Sequence, residues 1–281
     1  MMKYKDTAEG IGFYEFIKKL DKNFDSNAEL LVKQLVRAQM CIFRKENLTL
    51  SLTGEFNFKS LLEGEMLQFN RMLYEMPCVK AVPTFNMEKK NEGFKTASKV
   101  QYVASGGCFE KEGQEYTGAL KVLKTIFSYD YLWVNVRVTG GAYGCMCSFS
   151  RNGYGFFTSY RDPNLSATLD VYKKAAEYVR NFEAGQRDMT KYIIGTISGI
   201  DQPLEPAALG DRSFHAYQSG VTVEMIQKER NQVLDATEET IRSLAGYIET
   251  MMDAGTVCAI GNDRKLEEEK ELFKKVSSLT Q

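Results

Sequence analysis

Apolar residues recur at helical spacing from Asp6 to about Asn23 (Ile11, Phe13, Tyr14, Phe16, Ile17, Leu20) and again from Ser26 to about Phe43 (Leu30, Leu31, Leu35, Val36), which predicts two helices joined by a short polar turn. The apolar stripe of such a hairpin must cover something, as expected of the end of a preceding domain that packs on the next. The pattern then changes period. Asn47 to Gly54 alternates apolar and polar residues, the mark of a half-buried strand closed by glycine. A helix is expected from about Phe58 to Tyr74, stopping near Met76-Pro77. After a polar, lysine-rich stretch from Glu88 to Lys95, Val100 to Ala104 reads as a strand broken at Gly106-Gly107. Helical spacing returns between Tyr116 and Phe127.

Two aromatic-rich runs, Gly144 to Phe149 and Tyr154 to Tyr160, bracket Arg151-Asn152-Gly153, and the Asn-Gly pair predicts a β-hairpin. The hairpin feeds a helix, for which Asp162 is a plausible N-cap ahead of Pro163, with Thr168, Leu169, Tyr172, Ala176 and Val179 continuing towards Gly185. Asp188 could cap the next helix, through Ile193 and Ile194, before Pro203 and Pro206 interrupt. Thr222 opens the longest helical signal, with Ile226, Val233, Leu234, Ile241, Leu244, Ile248 and Met252 on one stripe up to Gly255. A short strand, Thr256 to Ile260, precedes a charged closing helix. Strands arriving as hairpins and singles among long helices predict an α+β fold, with helices layered on a largely antiparallel sheet.

Composition narrows the function classes. An apolar share of 43% over 281 residues suffices for a real core, and 36 Lys and Arg against 37 Asp and Glu leave no basic footprint for nucleic acid or anionic membrane. No run approaches the roughly 18 apolar residues of a membrane span. The six cysteines form no C-x-x-C pair and follow no apolar leader, so the expected setting is reducing and cytoplasmic. Met1-Met2 leads straight into polar residues and reads as a start placed inside a longer gene. His215 is the single histidine, which excludes any zinc motif that needs two on one helix face.

The most informative stretch is V-R-V-T-G-G-A-Y-G, residues 136 to 144, which sets Arg137 and Tyr143 six positions apart across Gly140-Gly141. Its local structure stays open on the residues alone: Val134, Val136 and Val138 alternate with polar positions as in a strand. Together with F-F-T-S-Y-R-D-P-N-L (156 to 165), K-Y-I-I-G-T-I (191 to 197) and the helix around Gln227 to Leu234, this stretch resembles the C-terminal part of the pitrilysin and insulinase superfamily of zinc metallopeptidases, in the presequence-protease and falcilysin branch. The resemblance covers most of residues 45 to 260.

The resemblance implies a LuxS-like, pitrilysin-type α/β domain at 46–281, preceded at 1–45 by a helical hairpin that ends the preceding domain. It implies a two-halved enzyme that encloses unfolded peptides, whose N-terminal half binds Zn2+, so that no metal is expected in this chain. The expected partners are that zinc-bearing half and unfolded peptide substrates, with no nucleic acid and no membrane. Arg137 and Tyr143 match the family's arginine and tyrosine that reach towards the zinc site, and the resemblance implies that the start of the motif ends a helix.

The chemistry suits that assignment, because peptide hydrolysis builds negative charge on the scissile carbonyl oxygen, and a guanidinium and a phenol both donate hydrogen bonds to it. Gly140 and Gly141 would let the backbone approach a substrate backbone without a Cβ between them. Taken without the other segments, Arg137 reads as a surface charge and Tyr143 as a hairpin aromatic. Two competing readings remain. One is a peptide-binding or scaffold module with no catalysis of its own, which predicts an exposed apolar face. The other is an autonomous cysteine hydrolase built on Cys145, Cys147 and His215, although cysteines in an apolar strand are usually inert, and His215 lies in a loop-prone stretch. Arg161-Asp162-Pro163-Asn164 could line the enclosed chamber but reads as structural first, with Arg161 a candidate to orient the neighbouring strand of Tyr143.

Overall fold

The computed structural model describes residues 6, 8–55, 63–75, 91–110, 114–253 and 255–279. By internal contacts the chain divides into two units, Met1–Glu88 with Leu204–Gln218, and Lys89–Pro203 with Ser219–Gln281.

In the first unit, α1 (Ile11–Lys22) and α2 (Phe24–Ile42) form the expected helices. No residue of either is buried, and Phe16, Leu30 and Leu35 are each more than half exposed, so among the described residues the stripe covers nothing. The strand expected at Asn47 to Gly54 does not form: residues 48–53 carry no ladder, and Leu48, Leu50 and Leu52 are exposed. Alternation marks which side chains could share a face, but a strand exists only where a partner takes its N–H and C=O groups. Of the helix expected at 58–74, α3 (Glu65–Met72) is described; the stop at Met76-Pro77 lies outside the described residues.

The second unit is built on a six-stranded sheet: β1 (Glu92–Thr96), β2 (Gln101–Cys108), β3 (Gly144–Phe149), β4 (Tyr154–Asp162), β5 (Thr256–Asn262) and β6 (Lys275–Ser278), in the order β3-β4-β2-β5-β1-β6. The β3–β4, β4–β2 and β2–β5 pairings are antiparallel, while β5–β1 and β1–β6 are parallel. The α+β, mainly antiparallel architecture is therefore the one expected. β2 runs through Gly106 and Gly107 instead of breaking there. A Cβ on Gly107 would lie 2.4 Å from the Met251 carbonyl oxygen, so the glycine permits a close backbone approach and ends nothing.

Helices α4 (Ala119–Ile126), α5 (Ser166–Arg180), α6 (Gln186–Ile200), α8 (Val223–Leu234), α9 (Glu238–Ser243) and α10 (Ala245–Asp253) belong to this unit, and α7 (Pro206–Gln218) to the first. Leu120, Leu123, Ile126, Phe127, Phe157, Tyr172 and Ile248 are fully buried in one core. The long helix expected from Thr222 to Gly255 is three helices. Thr222 caps the first, accepting from Met225 N, and Thr237 caps the second, accepting from Thr240 N. A second Ser/Thr-type cap satisfies free N–H groups at a new start, which a shared apolar stripe does not disclose. The charged tail forms only α11 (Asp263–Glu268) before a last turn and β6, which adds a parallel edge strand.

On β2, β3 and β4, Val103, Cys147 and Phe157 point into the core, whereas Tyr102, Met146 and Phe156 are 48%, 54% and 43% exposed. Period two thus gives the sheet one helix-covered face and one face with accessible aromatic and thioether side chains.

Candidate functional site

The segment that carries Arg137 is helical, and of an uncommon kind. After α4, Phe127–Tyr131 and Trp133–Thr139 continue as π-helix, whose hydrogen bonds span five residues. The strand alternative at Val134, Val136 and Val138 falls: only Val136 is buried, while Val134 and Val138 are 48% and 66% exposed. π-Helical turns are rare and cluster at functional sites.

The glycine pair ends this helix. Gly140 N donates to Asn135 O at 3.1 Å, Gly141 N to Arg137 O at 2.9 Å, and Ala142 N to Val136 O at 3.1 Å. This is the double-bonded glycine stop of an α-helix with each span one residue wider, and Gly141 takes the left-handed conformation that such a stop needs, φ +78. A Cβ on Gly140 would sit 2.5 Å from Val136 O. The helix's own closing turn therefore already requires a glycine at 140. Asn164 Nδ2 donates to the Gly140 carbonyl at 2.5 Å and fastens the turn to the loop after β4.

Arg137 and Tyr143 leave this turn on either side. The Arg137 guanidinium lies 3.9 Å from the Trp133 ring centroid, one helical turn back, and forms no ion pair among the described residues. Such stacking holds a guanidinium without neutralising it. Tyr143 is 61% exposed, packs edge-on against Tyr160 at 5.6 Å, and has its hydroxyl unengaged among the described residues. Arg161, also unpaired among them, places its guanidinium 5.5 Å from the Tyr143 ring centroid. Arg137 lies near the start of β3: at Cys145, burial pushes the thiol up to about 11 while the Arg137 charge pulls the other way.

Asp162 is not the N-cap expected from the sequence. It ends β4, fully buried, and its carboxylate accepts from Ser159 Oγ (2.6 Å), Thr168 Oγ1 (2.8 Å) and Asn164 N (2.9 Å). Leu165 precedes α5 in the capping position. Gly185, not Asp188, is the cap of α6.

The competing cysteine site finds no support in the chemistry. Burial pushes Cys147 up to about 12, so both strand thiols are poor nucleophiles at neutral pH. His215 is exposed on α7, a helix and not the loop expected. Among the described residues no three His, Cys, Asp or Glu side chains converge to hold a metal ion. Around Tyr143 the groups are guanidinium and phenol donors, which suit a carbonyl oxygen or an anion and do not fit Zn2+. No described helix is long and apolar enough to cross a membrane.

The sequence singled out Arg137, Gly140, Gly141 and Tyr143; it missed Trp133, Tyr160 and Asn164 as their supports. The four-residue step from Trp133 to Arg137 was a readable signal for stacking on a helix. The contact of Asn164 with Gly140 left no trace in the sequence.

The profile of the PreP C-terminal domain family matches residues 91–263. Protein HypA of Clostridium perfringens is 38% identical over 280 residues, covering 98% of this chain and 28% of that protein. Presequence protease 1, chloroplastic/mitochondrial, of Arabidopsis thaliana is 30% identical over 255 residues, covering 90% of this chain and 24% of that protein. The chain thus spans about a quarter of the length of these relatives. Among solved structures, a peptidase M16 inactive domain from Pseudomonas fluorescens superposes with a TM-score of 0.53 at 15% identity, covering 77% of this chain and 52% of that one. A protease from Helicobacter pylori gives 0.51 at 16%, covering 74% and 54%. At these identities the structural likeness establishes the fold alone.

Proposed function

The chain belongs to the PreP C-terminal domain family, and on that premise we propose that it is the non-catalytic C-terminal portion of a zinc metalloendopeptidase that degrades unfolded peptides. In this reading, Arg137 and Tyr143 donate hydrogen bonds to the substrate carbonyl as charge develops on its oxygen, and the metal belongs to the N-terminal half. Residues 1–45 close the preceding domain and 46–281 form the C-terminal one, with the exposed apolar stripe of α1 and α2 in support.

The observation that carries the reading is the pair of donors on either side of one turn: a guanidinium stacked on Trp133 with no acid partner among the described residues, and an accessible phenol against Tyr160. Donors held in place beforehand need no reorganisation when charge appears, the condition under which they stabilise a transition state. Trp133 fixes the first, and the Asn164-latched glycine turn fixes the backbone between them. The accessible sheet face bearing Tyr102, Met146 and Phe156 offers apolar contact to an extended chain without demanding a sequence.

In the full-length enzyme, Arg137→Ala and Tyr143→Phe should each lower turnover of a disordered fluorogenic peptide by roughly two orders of magnitude, with zinc content unchanged. Unaltered turnover in both variants would sink the donor assignment. The exposed sheet face also favours a second reading, a peptide-binding module without catalysis. Assaying this chain, the zinc-bearing half and their mixture separates the two: activity confined to the mixture supports the peptidase, and silence in a mixture whose halves associate supports the binding module.

A further inference from the structure

Between Gln101 and Val103, β2 advances two residues while β4 advances three, since Gln101 pairs with Asp162 and Val103 with Ser159. The extra residue is accommodated beside Arg161, whose φ of +49 makes it the one non-glycine residue in the left-handed region among the described residues. A bulge re-aims the side chain it carries, and bulges gather beside active sites. A left-handed arginine persists only where its surroundings over-determine it.

Here they do. The Arg161 carbonyl accepts from Tyr143 N at 3.3 Å. The next residue is the buried Asp162, fixed by Ser159, Thr168 and Asn164. Gln101 Nε2 holds the Pro163 carbonyl at 3.2 Å. The outcome of this arrangement is the position of one side chain: the Arg161 guanidinium is exposed, lies over the Tyr143 ring and has no acid partner among the described residues. Arg137, likewise unpaired, lies near the same end of β3. The nearest carboxylate in sequence, Asp162, is turned inward and already accepts three hydrogen bonds. A guanidinium set over a phenol donor, with no competing acid among the described residues, is complementary to a carboxylate, which a guanidinium can bind through two parallel hydrogen bonds.

We propose that Arg161 is a specificity-determining residue of this surface, binding a carboxylate of the peptide substrate beside Tyr143. The inference rests on the peptide-enclosing reading above. The carboxylate has two sources, an Asp or Glu side chain or the C-terminus of the peptide, and the two are separable.

The test uses the full-length enzyme and four disordered fluorogenic peptides: one sequence with Glu or with Gln near the cleaved bond, each with a free or an amidated C-terminus. The wild type should favour one carboxylate form, through KM, by about five-fold, the effect of one solvent-exposed charged contact. A Glu-over-Gln preference identifies the side chain, and a free-over-amide preference the C-terminus. Arg161→Gly and Arg161→Gln should both bring that ratio to about one, and Arg161→Lys should restore part of it. Arg161→Gly should also unfold at a Tm equal to or above that of the wild type, because glycine tolerates the left-handed backbone. A wild type indifferent to all four peptides, a ratio that survives Arg161→Gly, or a clear fall in Tm for Arg161→Gly would each overturn the proposal. Failure of the donor assignment is read separately, as full turnover in Arg137→Ala and Tyr143→Phe.

Discussion

Glu229 offers a sharp test of what holds the β3–β4 hairpin in place. It lies on α8, is 5% exposed, and its carboxylate takes Arg151 Nε at 2.5 Å, Arg151 Nη2 at 2.8 Å and Lys121 Nζ at 2.8 Å. Arg151 comes from the tip of the β3–β4 hairpin and Lys121 from α4, so one carboxylate joins three elements. Beside it, Gln232 Oε1 accepts from Gly118 N at 2.8 Å, which fixes α8 against the start of α4. Glu229→Gln keeps the shape and removes the charge. Breaking a buried pair costs about 3–5 kcal/mol, but the Arg151 and Lys121 side chains are 40% and 29% exposed and recover part of their hydration. The expected loss is therefore about 2 kcal/mol, or a fall in Tm of about 4–8 °C for a domain of this size.

The pH dependence fixes the mechanism. Burial pushes the Glu229 carboxyl up, but Arg151 and Lys121 outweigh it and hold the group below its usual value of 4.5. The unfolded chain therefore binds the proton first as pH falls. The stabilisation is complete above the ordinary carboxylate range and fades as pH drops through the depressed value. Urea unfolding of both proteins at about pH 7 and about pH 3 should show a gap that narrows in acid. Equal midpoints at neutral pH, or a gap of the same size at both, would refute the electrostatic account.

Two further outcomes follow from other parts of the molecule. Gly141→Ala should cost about 1–2 kcal/mol from the backbone alone, because its Cβ would meet nothing closer than Pro163 Cγ at 3.5 Å; Gly141→Asn should cost clearly less, and equal unfolding midpoints for the two would contradict a left-handed origin. With burial raising Cys145 to about 11 from an ordinary value of 9.0, its alkylation by iodoacetamide at mildly alkaline pH should run roughly 100-fold slower in the folded chain than in urea, with Cys147 slower still. Comparable rates by peptide mass mapping would reopen the nucleophile reading.

Where a motif is local, the sequence alone determined it. The Asn152-Gly153 turn, the strands on either side and α5 follow from backbone preferences within a few residues, and Gly153 has the positive φ, +79, that such a turn asks of it. The family followed from separated motifs in one order, and the donor chemistry of Arg137 and Tyr143 from residue type. What the sequence left undecided were the choices that depend on partners distant along the chain. Residues 48–53 alternate as well as any strand and stay unpaired, whereas Lys275 to Ser278, hidden in a charged tail, gain a ladder because β1 lies alongside. Val134, Val136 and Val138 follow a strand's period, yet the preceding helix continues through them as π-turns, and the core takes only Val136. Arg161 is an ordinary letter in a turn-like run until β2 and β4 fall out of step and Asp162 is pulled inward. A one-residue mismatch between two strands exists only when both are paired, so the feature that aims this arginine over Tyr143 belongs to the tertiary structure.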